Sequence, residues 1–444
     1  MQKRIKIVIM GAAGRDFHNF NIYFKKKPKF QVICFTAAQI PGIEHRLYPP
    51  ELSGPLYPDG IPIRPEDELP SIIKRNEIDI VVLAYSDLSN DEVLQKASLI
   101  EAIGPSFMLM GPRDTMLKAH KPVVSVCGVR TGVGKSTVAR RVSSILHAKG
   151  IKVVVIRHPM PYGDLLNQAT QRFTSYSDLE RYECSIEERE EYEPHLEMGS
   201  IIYSGVDYER ILTQAQEEAD ILLWDGGNND FPFIRPDLHI VVADPLRPGH
   251  ESSYYPSEIN VRMANIIVIN KVETAPRENV DRVKQNIRRI NPEATIIEAS
   301  SSISVDDPSL IKNRRVLVIE DGPTVTHGQL RDSVGAMAAR EFGAKELVNP
   351  RPYAVGSIKS VFESYPHIGP VLPAVGYTAK QIAELEATIR NTECETVILG
   401  TPIDIKRLIR VEKPVVRVRY EIKELTRPGL EGLLRKIGSY RIES

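Results

Sequence analysis

The stretch VVSVCGVRTGVGKSTVARRVSSIL, from Val123 to Leu146, decides the architecture. It opens with apolar, β-branched residues, turns through Gly132 and Gly134, and continues with apolar residues spaced for one helix face. Glycine lets the backbone curl so that several N–H groups point inward, and the helix N-terminus adds partial positive charge. Such a turn suits phosphate oxygens. In the pattern G-x-x-x-x-G-K-[ST], the lysine reaches the β- and γ-phosphates and the following hydroxyl ligates Mg²⁺. The residues expected to line a nucleotide are Arg130, Thr131, Gly132, Val133, Gly134, Lys135, Ser136 and Thr137. One departure stands out: the pattern asks for glycine at 129, and this chain has Val129.

Short apolar runs alternate with helix-period segments on both sides of this loop, as in α/β layers around parallel sheets. The runs are Ile5–Met10, Gln31–Thr36, Ile78–Ala84, Val123–Val129, Lys152–Ile156, Ile221–Trp224, Leu238–Ala243, Ile266–Ile269 and Val316–Ile319. Their near-continuous Val/Ile content predicts strands covered on both faces. Ser89 with Glu92, and Thr378 with Gln381, read as capping boxes. Tyr208–Asp220 reads as a crossover helix, and the Pro- and Gly-rich segment 40–70 as a long loop. Near the end, Val416, Val418, Tyr420 and Ile422 alternate with charged residues, predicting a strand with one dry face. The expected fold is α/β, in three parts. A Rossmann-like anion-binding domain spans 1–120, a P-loop NTPase parallel-sheet core spans 121–345, and a smaller α/β domain spans 346–444.

With 444 residues, 42% hydrophobic and 26% charged, the chain has the makeup of a multidomain globular protein. A formal net charge of −1 removes any global electrostatic case for nucleic acid or anionic membrane partners. The four cysteines are far apart with no CxxC pair, and no apolar stretch is long enough to span a bilayer. A cytoplasmic setting is expected. The apolar run after Met1 leads straight into a glycine turn, so it reads as a buried strand rather than a leader.

Other candidate residues fall at strand ends, where α/β sheets bind ligands. Asp225, closing Ile221–Trp224 and followed by Gly226 and Gly227, is expected to hold Mg²⁺ together with Ser136. Asn270-Lys271-Val272-Glu273 is similar to the guanine-reading Asn-Lys-x-Asp motif, with a side chain one methylene longer at the last position. Arg157 and His158, Arg247 and His250, and Thr326-His327-Gly328 leave other strands. The acidic run Glu187–Glu193 reads as a solvated helix face or a switch segment. At the N-terminus, Gly11 and Gly14 form a second glycine turn beside Arg15. The acid that would bind a dinucleotide ribose is replaced by Thr36, so a phosphate or carboxylate is the expected ligand, with a purely structural turn as the alternative.

The relaxed first glycine resembles the loops of the dethiobiotin-synthetase, nitrogenase-iron-protein and metallochaperone-GTPase superclass. Along most of the chain, the motifs quoted above, together with Gly54–Gly60, Glu190–His195 and Trp224–Asp230, resemble the cyclic 2,3-diphosphoglycerate synthetase-like family. That resemblance implies an ATP-dependent ligase, with GTP as the alternative nucleotide and Mg²⁺ as cofactor. It would close 2,3-diphosphoglycerate into its cyclic phosphoanhydride, releasing ADP and phosphate. Lys135, Asp225, Arg157 and His158 would then be catalytic. Gly11, Gly14, Arg15, Arg247 and His250 would hold the small phosphorylated acid. A homodimer is compatible with this reading. Three alternatives stay open: a GTPase switch or chaperone, for which Asn270, Lys271 and Glu273 would read the base; a carboxylate-activating ligase; and a nucleotide-binding regulator without turnover.

Overall fold

The computed structural model describes residues 3–38, 43, 45–158, 160, 163–227, 230–326, 330–375, 378–401 and 405–439. Two large sheets dominate it, and all nine apolar runs become strands in them.

The first sheet contains β1 (Ile5–Met10), β2 (Phe30–Ala37), β3 (Leu47–Tyr48), β4 (Ile61–Pro65), β5 (Ile80–Leu83) and β7 (Ser106–Leu109), in the order β3-β4-β2-β1-β5-β7. Segment 40–70 is not one long loop. It supplies β3, a short helix at Pro50–Ser53 and β4, which joins the sheet with Phe35 opposite Ile63. Pro62 and Pro65 disguise this strand, yet Ile61 and Ile63 alternate into the core. Residues 40–42 and 44 of that segment lie outside the described residues. A small antiparallel ribbon, β6 (Leu88–Ser89) with β14 (Tyr254–Tyr255), ties this half to the rest. Ser89 and Glu92 do form a capping box, opening the helix Asn90–Ile103.

The second sheet has thirteen strands. Its first half holds β8 (Val123–Gly128), β9 (Val153–Arg157), β10 (Gln171–Phe173), β11 (Ile201–Ser204), β12 (Ile221–Asp225), β13 (Leu238–Ala243), β15 (Ile266–Ile269) and β16 (Thr295–Val305). The order is β10-β11-β9-β12-β8-β13-β15-β16, parallel throughout apart from the β10 edge. The helix Lys135–His147 packs Val138, Ala139, Val142 and Leu146 onto it. The second half holds β17 (Arg315–Asp321), β18 (Glu346–Leu347), β19 (Leu372–Ala374), β20 (Thr396–Gly400) and β21 (Val415–Glu424). The halves are one sheet because β16 and β21 are long. The first residues of β16 pair with β15, and Ala299–Val305 pair antiparallel with Val418–Glu424. Within β21, Val416, Val418 and Ile422 are buried and Arg419 is exposed, as the alternation requires. β17 precedes residue 346 yet bonds to β18, β19 and β20, so its partners come from the last hundred residues. No described helix is long and apolar enough to cross a membrane.

Candidate active site

The loop between β8 and the helix Lys135–His147 is held from outside by its carbonyls. Arg247 donates to the Thr131 carbonyl (2.8 Å), Lys271 to that of Gly132 (2.7 Å) and Asn270 to that of Val133 (3.1 Å). In a trans peptide the N–H lies opposite its carbonyl, so pinning three successive carbonyls outward turns the linked amides toward the loop's interior. Gly132 and Gly134 take φ of +80° and +96°. A Cβ on Gly134 would sit 2.2 Å from the Asn270 amide nitrogen, so nothing larger than glycine fits. Val129, where the pattern has glycine, is buried and its carbonyl accepts from Ser257. The close approach falls one residue earlier: a Cβ on Gly128 would meet Val133 at 2.8 Å.

These contacts place several candidates in the brace around the loop. Lys271 also pairs with Asp244 at 2.8 Å, and Arg247 with the same carboxylate at 3.4 Å. Glu273 is exposed. Arg130 pairs with Asp87 (2.6 Å), lies over the Tyr254 ring (3.8 Å) and donates to His250 Nδ1 (3.1 Å). Burial and the nearby Arg130 and Arg247 cations pull the His250 pKa down to about 4, so it accepts that bond as a neutral ring. Thr131 bonds to Asp87 as well, which brings the first sheet into contact with the phosphate loop.

Beneath Lys135 lies a buried charge cluster. Lys135 pairs with Asp225 Oδ1 at 2.7 Å, while Asp225 Oδ2 meets Arg157 at 2.5 Å and His195 at 3.0 Å. Burial works against ionisation of Asp225, but Arg157, Lys135 and His195 hold its carboxyl well below the usual range. Arg157 has no exposed surface and also pairs with Glu191. As a metal site this arrangement fits in part. Ser136, second residue of the helix, carries a hard oxygen of the kind Mg²⁺ prefers, whereas both Asp225 oxygens are already committed to donors. Such an ion would be held by Ser136 and nucleotide oxygens, with Asp225 acting through water.

His158 joins the two sheets. Cβ atoms added at Gly14 and Gly227 would lie 2.8 and 2.7 Å from its ring. Trp224 and Phe233 pack at 5.3 and 4.7 Å, and burial together with Arg157 and Arg15 holds its pKa well below normal. Arg15 is buried, paired with Asp230 and stacked 3.8 Å over Phe231. The N-terminal glycine turn is filled by a carboxyl of its own. Asp16 accepts from the Ala13 and Phe17 amides, both at 2.7 Å, and Gly11, at φ +125°, leaves room for that carboxylate. Of the other strand-end candidates, Thr326 is buried and donates to Gly322, while His327, Gly328, Pro159, Pro161, Tyr162, Asn228 and Asn229 lie outside the described residues.

The acidic run is a correction. Glu187–Glu193 is not a solvated face: the helix Ile186–Glu197 buries Glu187, Glu188, Glu190 and Glu193 between the two halves of the large sheet. Four acids of this helix have the following partners. Glu188 caps Ser185, Glu193 pairs with Arg189, and Glu191 pairs with Arg157. Glu190 accepts from Thr401 at 2.5 Å and sits against Asp321 at the end of β17. Burial first, and then Asp321, push the Glu190 carboxyl well above its ordinary value. Charge density had marked this run as wet. The signal that pointed the other way was Tyr192-Glu-Pro194-His195 within it, which a solvated helix has no use for.

No protein-family model matches the chain. It is 56% identical over 435 residues to the arginine synthetase ArcE of Thermococcus kodakarensis, covering 98% of this chain and 97% of that protein. Similarity to the cyclic 2,3-diphosphoglycerate synthetase of Pyrococcus furiosus is 23% over 201 residues, covering 40% of this chain and 46% of that one. It thus spans less of the sequence than the motifs suggested. Among solved structures, LpxK from Aquifex aeolicus in complex with ATP matches with a TM-score of 0.50 at 14% identity, over 78% of this chain and 98% of its own, which shows a P-loop NTPase fold. The protein is a nucleoside-triphosphate-dependent synthetase, and it belongs to the family of the arginine synthetase ArcE.

Proposed function

We propose that this chain is an ATP-dependent arginine synthetase, building a guanidinium group from a ureido precursor and ammonia. Kinship to ArcE supports the product. The observation that carries the reading is an acidic wall joined to the phosphate loop: half-buried Glu191 pairs with Arg157, Arg157 with Asp225 and Asp225 with Lys135, while buried Glu187 and Glu190 lie on the same helix and Asp321 lies beside Glu190. A guanidinium or ammonium group is stabilised by such a wall, and a second polyanion is repelled by it. The cations once assigned to a phosphorylated acceptor are committed elsewhere, Arg15 to Asp230 and Arg247 to Asp244 and Thr131. Cyclisation of 2,3-diphosphoglycerate is therefore the weaker reading.

Arginine differs from its ureido counterpart, citrulline, by nitrogen in place of one oxygen. That oxygen leaves poorly, and a phosphate loop supplies the remedy. The ureido oxygen attacks the γ-phosphorus, an O–P bond forms, and the bond to the β-phosphate oxygen breaks to release ADP. Ammonia then adds to the activated carbon, the C–O bond breaks, and phosphate departs carrying the displaced proton. Citrulline, ATP and ammonia thus give arginine, ADP and hydrogen phosphate, with atoms and charge in balance. Lys135 and the inward amides hold the triphosphate tail. Mg²⁺, when bound, would neutralise charge on the phosphate oxygens, with Ser136 as its protein ligand. Ionised carboxylates of the acidic helix stabilise the positive charge that develops on the carbon and nitrogens. A Glu190 carboxyl that keeps its proton would offer both a donor and an acceptor to a ureido or guanidinium edge.

Incubating the full chain with Mg²⁺, ATP, ammonium and citrulline should yield arginine in step with ADP, followed by amino-acid analysis and phosphorus-31 NMR. Parallel arms replace citrulline with 2,3-diphosphoglycerate, and ATP with GTP. A cyclic phosphoanhydride resonance, or nucleotide turnover without arginine, refutes the proposal.

A further inference from the structure

At the C-terminal end of the helix Ile186–Glu197 lies a cavity of about 450 Å³. Four arginines line it: Arg140 and Arg141 from the helix that begins at Lys135, and Arg417 and Arg419 from the wet face of β21. Among the described residues two carboxylates, Glu197 and Glu421, share the lining, and the arginines' other partners, Glu424 and Asp306, lie outside it. Three ion pairs made there are long. Arg417 meets Glu197 at 3.7 Å, Arg141 meets Glu424 at 3.3 Å and Arg419 meets Asp306 at 3.4 Å. Pairs of this kind at a surface contribute little and are screened by salt, so an anion of higher charge can replace them. Thr137 and Ser144 add hydroxyl donors from the same helix, and Val418 and Ile422 give one wall an apolar strip. The volume lies in the range of small-molecule sites.

We infer that this cavity is a second anion site, taking a small phosphate-bearing organic molecule as an effector. Fixed cationic forks gather phosphate oxygens, and the apolar strip accepts the carbon skeleton. Thr137 stands in the first turn of the helix that starts at Lys135, and Ser144 lies about 13 Å from its start at 1.5 Å per residue. An occupant therefore touches the element that positions the nucleotide lysine without entering the phosphate loop. The inference stands apart from the identity of the reaction.

Its test is calorimetric titration of inorganic pyrophosphate into the full chain with the phosphate loop saturated by Mg²⁺ and β,γ-imido-ATP. One equivalent should bind. Affinity should fall at least tenfold in Arg417→Ala/Arg419→Ala and hold within threefold in Lys135→Ala titrated without nucleotide. Arg419→Glu, at a side chain 65% exposed and safe for folding, should weaken binding alone while leaving basal turnover unchanged. No binding to the saturated protein, the same affinity in Arg419→Glu, or loss confined to Lys135→Ala overturns the inference.

Discussion

Replacing Arg157 with methionine tests whether the charge cluster holds the site together. The guanidinium is wholly buried and bridges Asp225 on β12 to Glu191 on the acidic helix. Breaking a buried ion pair from one side costs about 3–5 kcal/mol, because the remaining charge stays desolvated. Here Asp225 keeps Lys135 and His195, and Glu191 is partly exposed, which puts the expected loss near the low end. A loss of about 3 kcal/mol is a large part of the roughly 5–15 kcal/mol of a typical domain. The chain has one tryptophan, Trp224, fully buried and adjacent to Asp225, so its fluorescence in a urea titration reports on this region. The double variant Arg157→Met/Asp225→Asn removes both charges and should recover at least ~1 kcal/mol relative to additivity. Arg157→Lys should recover little, since one ammonium cannot fork to two carboxylates. A loss below about 1 kcal/mol, or a strictly additive cycle, would refute the claim that this arginine couples the helix to the sheet.

Asn270→Ala removes the brace on the Val133 carbonyl and should weaken ATP and GTP binding alike, by about tenfold or 1.4 kcal/mol; a change in their ratio on calorimetry would show Asn270 reading the base instead. Glu190→Gln should raise the citrulline KM at least tenfold while leaving the ATP Kd within threefold, and equal losses in both would remove the acidic wall from substrate binding. His18, stacked on Phe233 at 4.2 Å, is held neutral: burial lowers its pKa from 6.5 to about 3 against a bond to the Thr115 carbonyl. A depressed folded pKa means this contribution is present above pH 6.5 and is lost as pH falls from there toward 3. Its share is about 1.4 kcal/mol per pH unit within that window. His18→Gln should flatten the urea-midpoint profile between pH 6.5 and 4, and an unchanged slope counts against it.

Strands and caps were legible because their signals are local. Continuous Val/Ile runs specify buried parallel strands, and Ser89 with Glu92 completes a bond pair within one turn. β4 was hidden because two prolines interrupt a pattern that the sheet tolerates near its edge. The phosphate loop was legible down to its lysine. The jobs of Asn270, Lys271 and Arg247 were not, since bracing three carbonyls from two separate strand ends is a tertiary fact. The acidic helix failed for a related reason. Its carboxylates are matched by Arg157, Thr401 and Asp321, residues 34 to 211 positions away in sequence from the acids they meet. Charge density alone cannot say whether such partners exist.

Lys135 and the acidic wall are linked through Asp225. Without nucleotide the lysine neutralises Asp225 at 2.7 Å, and a triphosphate tail draws the same ammonium toward its β- and γ-oxygens. Asp225 is then left with His195 and with Arg157, which Glu191 also claims, so the carboxylate side of the site becomes more negative as the nucleotide binds. A cationic guanidinium or ammonium is held more tightly in that state. By linkage the cation strengthens nucleotide binding by the same factor. The expected coupling is at least fivefold, about 1 kcal/mol, measured as the arginine Kd with and without Mg²⁺ and ADP. It should vanish in Asp225→Asn, where Lys135 has no carboxylate to leave. Independent binding in the unaltered protein, or coupling that survives in that variant, would mean the two sides of the site are not joined through this carboxylate.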